Sequence, residues 1–229
     1  MQPTPLPARH SEQSSITPRG GWVRPLAWGL LLAALVGVAA TAVYQRVQRT
    51  ARQASLERQA ALPVLGRVPD FTLTNRDGRT VRRQDLAGAP WIADFVFTRC
   101  VSSCPLLSAR LARLDRALPP GAAIRLVSFT VDPAYDTPAV LEKYARSFAA
   151  SRRWLFLTGD EWQLRNLSWQ GFKLALEPGQ GKGGVEAILH STRFALVDAD
   201  GIIRGSYPAL DPDALQQLTA DARALAAGR

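Results

Sequence analysis

The sequence predicts an α/β domain behind one N-terminal membrane-crossing helix, and three observations carry that expectation. Short β-branched or aromatic runs alternate with amphipathic stretches from residue 63 onward. An uncharged run of 19 residues, Leu26 to Tyr44, precedes them. The chain's only two cysteines, Cys100 and Cys104, fall where one strand-like run hands over to an amphipathic stretch. Strand, helix, strand, helix in this order imply a parallel sheet covered on both faces.

Residues 1–25 are rich in Pro, Ser, Gln and Gly with no apolar period, and read as a disordered tail. The 26–44 run is flanked by Arg24 and Arg46, with Trp28 and Tyr44 near its ends, where aromatic rings suit membrane interfaces. A cleaved signal peptide, with Ala40-Thr41-Ala42 as its A-x-A site, is the competing reading. The apolar run is longer than an ordinary h-region and the n-region is long too, which favours an uncleaved anchor. Arg9, Arg19 and Arg24 on one side face Arg46, Arg49, Arg52 and Arg58 on the other, so the arginines set no orientation. Residues 45–62 read as a helical stalk and 63–229 as the folded domain.

Within that domain Phe71–Leu73 and Thr80–Arg82 form a hairpin signal, with Asp77-Gly78 supplying the turn. Trp91–Phe97 reads as a buried central strand. The helix after Pro105 is stopped near Leu118 by Pro119-Pro120-Gly121. A strand over IRLVSFTV ends at Asp132-Pro133, and Thr137-Pro138 opens a helix with Thr as N-cap and Pro at the first position. A short strand at Trp154–Leu157 and a helix over Asp160–Phe172 follow. The Gly-rich stretch at 177–185 lacks the residues of a phosphate loop and reads as a connector. Glu186–His190 and Phe194–Val197 read as strands, Asp198–Gly201 as a hairpin turn, Ile202–Tyr207 as its return, and Asp211–Ala227 as a capped helix.

The two thiols organise this frame. The start of a helix offers unpaired N–H groups and the positive end of the dipole, which favour thiolate, the form that acts as nucleophile and metal ligand. The spacing is C-x-x-x-C, one residue longer than the thioredoxin C-x-x-C pair. If both residues are helical they share a face about 6 Å apart at Cα, within reach of a disulfide or a shared metal ion. Spacing alone leaves both open.

Net charge is +9, but residues 1–62 carry seven Arg against two Glu, or +5, leaving +4 for the other 167 residues. In the domain Arg alternates with Asp and Glu, so nucleic-acid binding is set aside. Only two histidines exist, and His10 precedes the membrane run, so His190 is the one imidazole the domain offers. Two thiolates and an imidazole suit copper, above all Cu(I), or zinc with an open fourth position. Asp94 sits on the buried strand, where a carboxylate is either hydrogen-bonded or used to move protons. Asp132 and Asp136 flank a turn and read as caps.

FVFTRCVSSCP, TVDPAYDTPAVLEKYARSF, LTGD and LHSTRFALVDADGIIRGSY resemble, in order and spacing, the Sco/SenC family of copper proteins of cytochrome c oxidase assembly. The resemblance covers roughly residues 64–226. It implies a thioredoxin-like fold with a central mixed sheet flanked by helices, a single N-terminal anchor, and copper held by Cys100, Cys104 and His190. It further implies a soluble domain on the outer, periplasmic face of the inner membrane. Its client would be the oxidase subunit carrying the binuclear copper site, with an upstream copper donor or thiol reductant as a second partner. Arg99 stands where many members have His, and the Val-Ser-Ser spacer lacks their Pro or Asp; both leave the ligand set in place.

The reading is therefore a membrane-anchored copper-binding assembly factor. Its rival is a thiol–disulfide reductase cycling Cys100 and Cys104 without metal, which has little use for His190. A peroxidase is disfavoured, because no Thr stands three residues ahead of the first Cys.

Overall fold

The computed structural model describes residues 23–100, 104–173 and 192–227. Two units are distinguished, residues 1–50 and a compact domain, Ala51–Arg229. The first contains most of helix α1, Val23–Ala61. Trp28–Ala61 is long and apolar enough to cross a membrane by length and composition, and its apolar side chains are exposed. The tail expected over 1–25 lies mostly outside the described residues. Its last three are helical, and Pro25 falls in the first turn, where its missing N–H is not needed.

Among the described residues the domain holds eight strands: β1 Gly66–Arg67, β2 Thr72–Asn75, β3 Thr80–Arg82, β4 Trp91–Val96, β5 Arg125–Thr130, β6 Trp154–Thr158, β7 Arg193–Val197 and β8 Ile202–Pro208. Its helices are α2 Cys104–Ala117, α3 Pro138–Ser147, α4 Glu161–Asn166 and α5 Pro212–Ala227. A π-helical turn, Leu167–Gly171, continues α4, so the helix expected over 160–172 widens in its second half. The sheet order is β1-β8-β7-β4-β5-β6-β2-β3. Only β4, β5 and β6 run parallel, and every other pairing is antiparallel. The parallel pairing implied by element order holds for β4, β5 and β6, and the sheet as a whole is mixed, as the family resemblance implies. Parallel neighbours need long crossovers, here through α2 and α3, whereas β2–β3 and β7–β8 are joined by tight turns that force them antiparallel. Gly78 supplies the positive φ of 82° that the first of those turns requires.

Strand parity divides the core. Ile92, Leu126, Trp154, Phe156 and Leu196 pack under α2, α3 and α5 on one face. Trp91, Phe95, Val127, Phe129 and Leu157 pack with Leu164 and Phe172 on the other. The expected cap of α3 is present: Val140 N–H donates to Thr137 Oγ1 at 3.4 Å, with Pro138 first in the helix. Asp160 does the same for α4, accepting from Gln163 N–H at 2.8 Å.

The stalk expected over 45–62 is helical, and from Ala51 onward it is part of the compact unit. Arg58 pairs with the buried Asp221 carboxylate at 2.5 Å, and Tyr207 donates its hydroxyl to the other oxygen at 2.7 Å. Arg204 donates to the carbonyls of Gln59 and Leu62, each at 2.9 Å. Truncating Arg58 leaves a buried carboxylate without its counter-charge. In a fragment beginning at Ala51, Arg58→Ala should therefore cost roughly 1.5–3 kcal/mol, the range for a hydrogen bond to a charged group. Urea unfolding of the two fragments measures it, and equal midpoints would show the contact to be ornamental.

Candidate metal and thiol site

β4 is buried along its whole length and delivers the chain to a turn at the carboxyl end of the parallel strands. That turn, Phe97–Cys100, closes with the Cys100 N–H donating to the Phe97 carbonyl at 3.2 Å. α2 opens at Cys104, with Pro105 in its first turn, where proline is tolerated. Cys100 thus precedes the helix, so the pair does not share one helical face. The Cys104 N–H, otherwise an orphan donor of the helix start, instead points at Cys100 Sγ, 3.4 Å away. Both residues are thiols rather than a disulfide, and both are buried.

Burial reverses one expectation. The helix start was expected to favour thiolate, yet Cys104 is pushed up to about 12. Desolvation is the largest cause, and the neighbouring Cys100 and the Asp94 charge add to it. Its sulfur lies on the inner face of α2, one turn before Ser108, whose hydroxyl meets the Tyr144 hydroxyl at 2.8 Å. Burial likewise pushes Tyr144 up, with the charges of Asp94 and the cysteines as lesser contributions.

Asp94 lies on the same face of the sheet. Ser128, its cross-strand partner on β5, donates to Asp94 Oδ1 at 2.5 Å and itself accepts from Trp154 Nε1 at 2.8 Å. Asp94 Oδ2 is buried with no hydrogen-bond partner among the described residues. Desolvation lifts this carboxyl to about 7, against the opposing pull of the Ser128 hydrogen bond.

The loop between β5 and α3 grips the cysteine turn. Asp136 is fully buried and accepts from Thr98 N–H at 3.2 Å, Thr98 Oγ1 at 2.5 Å and Thr130 Oγ1 at 2.5 Å. Asp132 pairs with Arg99, whose guanidinium stacks 4.5 Å from the centre of the Tyr135 ring. The hydrogen bond from Arg99 to Asp132 raises the guanidinium's pKa further. Asp132 and Asp136 were expected as local caps. They reach instead across to residues 33 and 38 positions earlier, a pairing with no local sequence signal.

Cys100 and Cys104 are neighbours, though not on one helical face. His190, the expected third ligand, lies outside the described residues, as do the Gly-rich stretch and the strand expected over 186–190. Among the described residues no three His, Cys, Asp or Glu side chains form a metal-binding group. Two adjacent sulfurs are a donor set suited to a soft ion such as Cu(I).

Residues 64–227 match the SCO1/SenC family model. The chain is 30% identical over 164 residues to the SCO1 protein homolog of Bacillus subtilis, covering 70% of this chain and 83% of that one. It is 33% identical over 160 residues to a Stutzerimonas stutzeri protein named as copper-binding, covering 69% and 77%. Its fold is similar to that of BsSco, a member of the Sco family of cytochrome c oxidase assembly proteins in which a disulfide switch is identified. TM-score is 0.59 at 29% identity, covering 72% of this chain and 98% of that one. The fold is accordingly thioredoxin-like, a mixed sheet between helices. Family model, relatives and fold agree across the same segment that carries the paired thiols, and the chain belongs to the SCO1/SenC family.

Proposed function

We propose that the protein is a membrane-anchored copper-binding factor that serves assembly of the binuclear copper site of cytochrome c oxidase. Copper is its cargo, held by Cys100, Cys104 and His190. The observation that carries this reading is the pair of buried thiols brought side by side at the end of β4. Family membership, the relative named for copper binding and the oxidase-assembly role of the Sco family of BsSco support it. Thiolates supply the soft donors that Cu(I) prefers, and an imidazole supplies the nitrogen that Cu(II) adds. Metal analysis of reduced, copper-treated protein tests the proposal: it should carry one copper per chain, and a protein that emerges copper-free would end it.

The apolar helix is the anchor in this reading, with the domain on the periplasmic face of the inner membrane. The full chain should therefore fractionate with membranes, and protease added to spheroplasts should cut the domain. A mature chain beginning near Val43 and recovered in the soluble periplasm would replace the anchor with a cleaved signal.

A second reading has its own observation. The contact between Cys104 N–H and Cys100 Sγ supports it, since exchange needs neighbouring sulfurs, and so does the disulfide switch of BsSco. As a reductase, the Cys100 thiolate attacks a client disulfide and releases one client thiol. Cys104 then attacks the mixed disulfide, releasing the second client thiol and leaving Cys100 and Cys104 bridged. An oxidised pair has no thiolate to offer, so the bridged protein should bind no Cu(I); tight binding by that form would contradict the ligand set.

A further inference from the structure

Cys100 is presented by a single turn, and both central residues of that turn are held from one loop. The Cys100 N–H bonds back to the Phe97 carbonyl, leaving Thr98 and Arg99 as the corners. Thr98 is fixed at two atoms, its N–H and its hydroxyl, and both bonds end on the Asp136 carboxylate. That carboxylate is 0% exposed, and its remaining capacity is taken by Thr130 Oγ1 at the end of β5. The loop carrying it is rigid in turn. Asp136 N–H donates to the Asp132 carbonyl at 2.9 Å, Asp132 N–H to Thr130 Oγ1 at 3.0 Å, and Val131 N–H to the Val96 carbonyl at 2.9 Å. A fully buried carboxylate is costly unless every lone pair is used. Here that capacity is spent on the residue two positions before the first cysteine.

We infer that Asp136 is the positioning residue of the thiol pair: by clamping Thr98 it fixes Cys100 against Cys104 and so sets how readily the two sulfurs close on each other. The inference rests on Cys100 and Cys104 being the reacting pair of the site proposed above. The physical link is effective concentration. Cys104 is fixed by α2, whereas Cys100 sits outside any helix or strand, at the end of the turn whose corners that loop holds. Loosening the turn spreads Cys100 over more positions, few of which meet the strict geometry of an S–S bond.

The test is the equilibrium of the full chain, in detergent, with glutathione redox buffers, read by thiol trapping. Asp136→Asn keeps the shape but turns one acceptor into a donor facing Thr98. Thr98→Val keeps the backbone bond and removes the hydroxyl. Leu225→Ala, in the core of α5 away from the turn, controls for lost stability. Asp136→Asn should lower the disulfide-forming constant about tenfold, equivalent to about 30 mV for a two-electron couple. Thr98→Val should shift it the same way by a smaller factor, and Leu225→Ala should leave it within twofold despite a lower Tm. If both turn variants melt earlier yet stay within twofold of wild type, Asp136 is only structural and the inference fails. Should Asp136→Asn not fold, Thr98→Val alone decides on the same criterion. No metal enters this equilibrium, so a wild-type protein that fails to bind copper would remove the proposed function while leaving this result to be read.

Discussion

Replacing Cys100 with Ser should remove tight binding of both Cu(I) and Cu(II), while replacing His190 with Ala should spare much of the Cu(I) affinity and cripple Cu(II) binding. The asymmetry comes from the ions. Cu(I) is a soft d¹⁰ ion satisfied by two sulfurs, whereas Cu(II) prefers additional nitrogen and a more tetragonal field. The Cys100 sulfur is one of only two thiols in the chain, so no other residue substitutes for it. For His190→Ala the loss of Cu(II) affinity should reach at least roughly 100-fold, the upper end of what even a supporting residue of a metal site costs. Competition titrations against chelators of known affinity, with thiols kept reduced, read both ions on the three proteins. An alanine variant that holds Cu(II) as tightly as wild type would make His190 a structural histidine and the three-ligand proposal wrong. A Cys100→Ser variant that keeps its Cu(I) would remove the thiol pair from the site altogether.

What the sequence revealed and what it withheld follow from the range of the interactions involved. The hairpin at Asp77-Gly78, the Thr137 cap and the strand-to-helix handover at the cysteines were legible because each is fixed by residues close together in the chain. The mixed sheet followed from the family resemblance and not from local patterning, because strand pairing is a long-range choice: β2 joins β6, and β4 takes β7 as its second neighbour. The grip of Asp136 on Thr98 belongs to the same class, spanning 38 positions. The thiol chemistry was half legible. Helix-start electrostatics can be read from sequence, but the burial that outweighs it at Cys104 depends on what the sheet and α2 enclose.

Asp94→Asn should stabilise the protein at pH 8 and do so little at pH 4, because the folded state holds this carboxyl at about 7 against an ordinary 3.8. Between those values the folded chain keeps a proton that the unfolded chain has released. Stability therefore falls as pH rises through that window, and the full penalty is present above about 7. A carboxyl held that far above its ordinary value carries a penalty of roughly 4 kcal/mol. The cause is desolvation: the side chain is 1% exposed, only Oδ1 accepts a hydrogen bond, from Ser128, and Oδ2 has no partner among the described residues. Asparagine keeps that shape and the Ser128 bond while remaining neutral at every pH. The variant should then exceed wild type by roughly 2–4 kcal/mol at pH 8, on the order of 5–15 °C in Tm for a domain of this size. The gap should shrink toward pH 4, where the folded carboxyl is protonated and the unfolded one is only partly ionised. Removing the charge also takes away one of the contributions, smaller than burial, that keep the proton on Cys104. The variant's Cys104 should accordingly be alkylated faster than that of wild type at pH 8. Urea unfolding of both proteins at pH 4 and pH 8 decides the matter. A gap that does not change with pH would mean that the carboxyl is solvated in the folded protein, and the buried-acid account of the β4 face would fall with it.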